Sequence, residues 1–265
     1  MKKTLQIANG VAFVSMVFVN YFSNTGALNG KTIGQVSAQL NNLFTPAGYA
    51  FSIWGLIYLL LFGFVIYQGR SLFGKTMDDT FVVRTGWWFV VSCLANCLWI
   101  MTWLYGYTGW SALILFFLLV CLMMIVKKNN MELWDAPISV IVFLWWPFVI
   151  YCGWITVASI ANMGAYLTDI EWTGWGISET YWTLIMIIIA GIINLAITWT
   201  RNMRESALVG AWALIAIAIA NCDTHSTIAY TAVVTAAILV SSSAYHALKN
   251  RTTNPIRKLQ QYLKK

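Results

Sequence analysis

The stretch FTPAGYAFSIWGLIY, residues 44–58, marks the place where a long polar loop gives way to an apolar run. It holds one proline, two phenylalanines, two tyrosines and one tryptophan, and no charge. Pro46 has a fixed φ and no N–H, so it breaks the loop and sets the start of a helix. From Phe51 to position 66 the run is uncharged and mostly apolar, broken only by Ser52, Gly55, Tyr58 and Gly63, which is long enough for a membrane helix.

The rest of the chain repeats this pattern. Of 265 residues, 60% are hydrophobic and 9% are charged, with a mean hydropathy of +0.70. Soluble domains carry about 25% charged residues, so these charges are too few to cover a water-facing surface. Apolar runs of about 17–25 residues suit membrane helices, whereas barrel strands would alternate over about 10 residues. The expectation is an all-α integral membrane protein whose first partner is the lipid bilayer.

Eight spans are expected, at about 5–22, 48–69, 86–105, 110–126, 136–160, 181–199, 206–222 and 228–247. With the N-terminus inside, 15 of the 16 Lys and Arg residues fall in inner segments and only Lys31 falls outside. That asymmetry predicts both termini to be cytoplasmic. The start, MKKTLQIANGVAFVSMVFVN, has a basic end and an apolar core but no clear cleavage site, and reads as a retained first helix. Residues 248–265 form a basic cytoplasmic tail whose apolar spacers Ile256, Leu259 and Leu263 suit either an amphipathic helix on an anionic leaflet or a solvated tail. A bacterial plasma (inner) membrane is the simplest location.

The net charge of +7 does not mark a nucleic-acid partner, because nearly all charges sit in short loops between apolar runs. No Lys, Arg, Asp or Glu lies in the middle of a span. Proton relays, ion pathways and retinal counter-ions use such charges, which disfavours a proton-coupled transporter and excludes a retinal Schiff base. The five cysteines form no CxxC pair, and Cys93 and Cys97 read as small buried residues rather than metal ligands. Of the two histidines, His225 lies in an outer loop and His246 near the inner end of the last span, and Asp223, His225 and Ser226 read as a loop rather than a hydrolytic site. No catalytic residue and no metal site is expected.

Aromatic residues remain. Interfacial belts account for many of the 15 tryptophans. Trp54, Trp99 and Trp154, however, each lie six residues inside the outer end of their span, about 9 Å deep. Tyr58, Asn96 and Tyr151 come one layer further in, at about 14–15 Å. Trp54 and Tyr58 share a helix face, as do Asn96 and Trp99. If these faces converge they wall an aromatic cavity with neutral polar handles, suited to a flat apolar ligand. The same spacing suits aromatics that fill the bundle core, and spacing alone leaves both readings open.

The motifs also resemble a known family, the TspO/MBR or tryptophan-rich sensory and translocator proteins. Pro46, Phe51, Trp54 and Tyr58 of PAGYAFSIWGLIYLLL are similar to its second-helix signature. Asn96, Trp99 and Gly106 of ANCLWIMTWLYG resemble its third-helix motif, and Pro147, Trp154, Ala158 and Asn162 of WPFVIYCGWITVASIAN its fifth. The three fall in the family's order and cover about residues 1–165. The resemblance implies a five-helix bundle that binds tetrapyrroles, sterol-like lipids or aromatic drugs under a lid formed by the first loop. By position, Trp54, Asn96, Trp99, Trp154, Ala158 and Asn162 would line or support the cavity. Residues 23–47, with Phe44 and Pro46, and Tyr49 beyond them, would form the lid. The usual tryptophan after the proline is absent, with Tyr49 nearest, and Asp169 and Glu171 stand where the sterol pattern needs a base.

The expected organisation is thus a five-helix bundle over 1–165, a three-helix membrane extension over 166–247 and the tail. The extension has no counterpart in five-helix members; shielding a homodimer face, binding a partner and changing the activity are the roles open to it. The expected function is binding of a porphyrin or other tetrapyrrole, or a related lipid, as sensor or carrier. The tetrapyrrole would be ligand rather than resident cofactor. The alternatives are a membrane enzyme acting on a bound tetrapyrrole or carotenoid, and an eight-helix transporter of a neutral solute.

Overall fold

The computed structural model describes residues 1–40, 42–74 and 79–250. Most of the expected tail, from 251 on, lies outside the described residues. The described chain is helical, with no strand. Helix α1 runs over Lys2–Asn24, and the short α2 over Ile33–Gln39. A 3-10 turn at Gly48–Ser52 leads into α3, Ile53–Phe73. The one-and-a-half-turn α4, Thr80–Thr85, precedes α5, Trp88–Leu104, and α6 covers Thr108–Lys128. The brief α7, Ile138–Val140, passes through a π-helical turn at Ile141–Trp145 into α8, Trp146–Asp169. Helices α9, Glu179–Arg201, α10, Arg204–Asn221, and α11, Ser226–Lys249, complete the chain.

Among the described residues, seven spans are long and apolar enough to cross a membrane, and α5, at 17 residues, is an eighth apolar helix of shorter length. The fifth apolar run extends to Asp169, nine residues beyond its expected end at 160. The wide π turn sits just before Pro147, which has no N–H to offer the preceding turn.

Helix α8 lies at the centre, touching α3, α6, α9 and α10. On one side α1 packs on α3 and α5, and α6 on α5; on the other, α10 packs on α9 and α11. Lipid tails are as apolar as leucine, so close backbone approach must hold such helices together. Glycines provide it at three crossings. A Cβ on Gly153 of α8 would stand 2.8 Å from the Ser206 carbonyl oxygen of α10. On Gly210 of α10 it would stand 2.8 Å from the Asn194 amide of α9, and on Gly191 of α9 2.6 Å from the Thr235 methyl of α11.

The ends of the bundle differ. At the end carrying the basic residues, Gln68 of α3 is laced to α1: Asn9 Nδ2 donates to its Oε1 at 2.8 Å and its Nε2 donates to the Gln6 carbonyl at 3.2 Å. The buried Asp79 carboxylate draws in Lys2 at 3.5 Å and Arg70 at 3.7 Å. In the α6–α7 loop Glu132 is buried, with Arg204 at 4.0 Å, and Asn202 Nδ2 donates to its backbone carbonyl at 2.8 Å. Burial, reinforced by the Glu205 carboxylate, raises the Glu132 carboxyl well above its ordinary range and outweighs the opposing pull of Arg204.

Two expectations follow. Gly153→Ala forces a methyl group onto backbone, so it lowers the thermal midpoint in detergent by the equivalent of about 1–3 kcal/mol. Gly191→Ala meets only a side-chain methyl and lowers it less. For Glu132, the folded state keeps a proton that the unfolded chain releases near 4.5. Its contribution is therefore fully present below that pH and is lost as pH rises through the raised folded-state pKa. Thermal midpoints measured from acid to alkaline pH should fall for the wild type, and fall less for Glu132→Gln, whose amide does not titrate.

Candidate ligand-binding site

The aromatic layer expected from spacing is assembled at the opposite end, beneath the first loop. Trp54 of α3 stacks on Tyr58 with ring centroids 5.6 Å apart, and on Trp99 of α5 at 6.0 Å. It meets Tyr151 and Trp154 of α8 edge-on at 5.7 and 6.2 Å, and Phe51 stands edge-on to Trp154 at 6.0 Å. Three helices thus bring their indoles into one cluster.

Below the indoles runs a polar layer. The Tyr58 hydroxyl donates a short hydrogen bond to Asn20 Oδ1. Asn20 Nδ2 donates to Asn96 Oδ1 at 2.7 Å, and Asn96 Nδ2 donates to the Tyr151 hydroxyl at 3.0 Å. Asn20, Asn96 and Tyr151 are buried, and each sits on a different helix. Tyr151 and Asn96 therefore support the cavity from beneath rather than line it.

The described residues of 25–40 and 42–52 close the top. Helix α2 starts in a capping box between Thr32 and Gln35. The loop is tied to α5 by Trp103 Nε1 donating to the Ile33 carbonyl at 3.2 Å and by Asn29 Nδ2 donating to the Leu104 carbonyl at 2.7 Å. It is tied equally to the last helices. The Ala47 N–H donates to the Ala216 carbonyl at 3.0 Å, and Asn221 Nδ2 to the Leu43 carbonyl at 3.0 Å. Glu179 accepts the Leu43 N–H at 2.9 Å.

Between loop and indoles lies a cavity of about 50 Å³. Its walls include Pro46, Phe51, Trp54, Trp99, Trp154, Ala158 and Asn162. It adjoins a cleft of about 650 Å³ that opens beside Asn20, Asn24 and Tyr58, and the two share Ile33, Ser37, Thr45, Pro46, Phe51 and Trp54. The buried Trp99 and Trp154 both lack a hydrogen-bond partner for Nε1 among the described residues.

Other expected loop residues lie elsewhere. Tyr49 turns away from the cavity and packs edge-on against Trp212 of α10, with centroids 5.1 Å apart. Phe44 is buried in a separate groove near α8 and α9. Sequence reading missed Asn20, Trp103, Val157, Ala161 and Ala165. Trp103 is one turn from Trp99, and Ala161 and Ala165 extend the Trp154–Ala158 face at helical spacing, so those three were legible. Asn20 was legible only as an amide near the end of an apolar run. No group of three or more metal-ligating side chains forms among the described residues.

A helical integral membrane protein with an indole-walled cavity under a closed loop is the class defined by this geometry. The chain belongs to the TSPO-like protein family, whose sequence model matches residues 6–245 and so runs through α9, α10 and most of α11. No curated protein and no solved structure matches it.

The polar layer has a measurable weight. Asn20→Leu strips the acceptor from Tyr58 and the donor from Asn96, leaving buried groups unpaired at a cost of about 1–3 kcal/mol. Its thermal midpoint in detergent should fall further than that of Tyr58→Phe, which removes one hydroxyl at the half-exposed end of the chain.

Proposed function

We propose that the protein binds a flat apolar ligand, a porphyrin or other tetrapyrrole or a related lipid, in the cavity under the first loop, as a sensor or carrier. The observation that carries this reading is the three-indole wall with two unpartnered N–H donors, from Trp99 and Trp154. Buried donors without partners are costly. A ligand with a planar apolar body and an acceptor at its edge relieves that cost. Pockets for drug-sized ligands measure about 300–1,000 Å³, so the cavity of about 50 Å³ must open into the adjoining cleft of about 650 Å³. Trp54 is half-buried and lines both spaces.

The proposal includes the topology. Eight spans, with α5 as the shortest, place both termini in the cytoplasm by the distribution of Lys and Arg, in a bacterial plasma membrane. Residues 1–165 act as the ligand-binding bundle. Residues 166–247 act as an extension that anchors the loop through Glu179, Ala216 and Asn221.

Titration of the detergent-held protein with protoporphyrin, followed by tryptophan fluorescence, tests the reading. Saturable quenching is expected, with an apparent affinity several-fold weaker in Trp54→Phe and in Trp154→Phe. Quenching that is linear and the same in all three proteins would remove the proposal.

A further inference from the structure

A second opening lies at the same end of the molecule but outside the indole-walled cavity. It is a groove of about 530 Å³ between the C-terminal turns of α8, the 170–178 loop and the first turns of α9. Its aromatic wall is Trp172 and Trp182, with ring centroids 5.2 Å apart, and Trp175 braces both from outside at 5.4 and 6.2 Å. The loop is folded tightly around Trp182. The indole Nε1 donates to the Gly174 carbonyl at 2.9 Å. Gly174 has φ +70, and a Cβ there would stand 3.3 Å from that same nitrogen.

The lining is one-sided in charge. Glu171 and Glu179 contribute carboxylates, and no Lys, Arg or His is among the described residues that line it. Two carboxylates repel an anion. Asn42, Thr168, Thr173, Ser178 and Thr183 add neutral oxygens to the lining, but no three metal-ligating side chains are grouped there among the described residues. A primary ammonium is strongly hydrated, and an indole wall returns little of that hydration. A quaternary ammonium needs none: it spreads its charge over methyl groups and is attracted by indole faces and by nearby carboxylates at once.

We propose that this groove binds a quaternary ammonium group. The carrier is either a small soluble compound or the choline headgroup of a lipid; the chemistry recognised is the same. Trp172 and Trp182 supply the aromatic contact and Glu171 and Glu179 the countercharge. Because Glu179 also accepts the Leu43 N–H, the groove shares a carboxylate with the loop that covers the indole-walled cavity.

Calorimetric titration of the protein in a maltoside detergent tests this with three probes: choline, dihexanoylphosphatidylcholine, and 3,3-dimethylbutanol, the uncharged isostere of choline. Saturable binding of choline or of the phospholipid is expected, with the isostere at least tenfold weaker. Glu171→Gln and Trp182→Leu should each weaken the charged probe about tenfold. Glu171→Gln should keep the wild-type protoporphyrin titration, which separates this site from the cavity and reports an intact fold. Choline binding as well as the phospholipid marks a soluble source, and binding of the phospholipid alone marks a membrane headgroup. The proposal is overturned if neither charged probe binds saturably, if the isostere binds as tightly, or if both substitutions leave the affinity unchanged.

Discussion

Asn20, Tyr58, Asn96 and Tyr151 belong to α1, α3, α5 and α8, and one run of hydrogen bonds joins all four. Lipid tails offer no replacement partner for a lost donor or acceptor. The run therefore fixes how each helix is rotated about its own axis. The indoles follow from that rotation. Trp54 is one turn before Tyr58, Trp99 is three residues after Asn96, and Trp154 is three residues after Tyr151. Each indole stands over its own polar residue on the same helix face. The aromatic wall is thus a consequence of the amide–phenol layer beneath it.

The two halves of the bundle treat aromatic side chains differently. Toward the basic end, Phe64, Phe89 and Phe148 from α3, α5 and α8 meet edge-on with centroids 4.8–5.8 Å apart, all fully buried. Phenylalanine has no polar atom, so it closes a core without leaving a debt. In the other half the same three helices carry tryptophans. Indoles are larger and bring N–H groups that need acceptors. The two unpartnered donors beside the cavity come with that side-chain chemistry, as do those of Trp145 and Trp146 toward the basic end.

The first loop ends up belonging to both sides of the molecule. It is held by α5 through Trp103 and Asn29, and by α9 and α10 through Glu179, Asn221 and a backbone carbonyl of α10. Gly153, facing Ser206 with no room for a methyl group, presses α10 against α8 and so carries the loop's anchors into place. Helices α9 and α10 are therefore part of the frame around the cavity.

Much of this was legible in the sequence. Apolar run lengths gave the helices, because spanning a bilayer demands a minimum of apolar residues in a row. Helical spacing gave the Trp54–Tyr58 and Asn96–Trp99 faces, because positions three and four apart lie on one side of a helix. The order of motifs gave the family. Spacing could not give Asn20 as the hub of the polar layer, the turn of Tyr49 onto Trp212, the burial of Glu132 or the grouping of Trp172, Trp175 and Trp182. Those depend on which helix lies beside which and how each is rotated. Packing between distant segments decides that, because a local pattern fixes the face a residue shares but not the partner that face will meet.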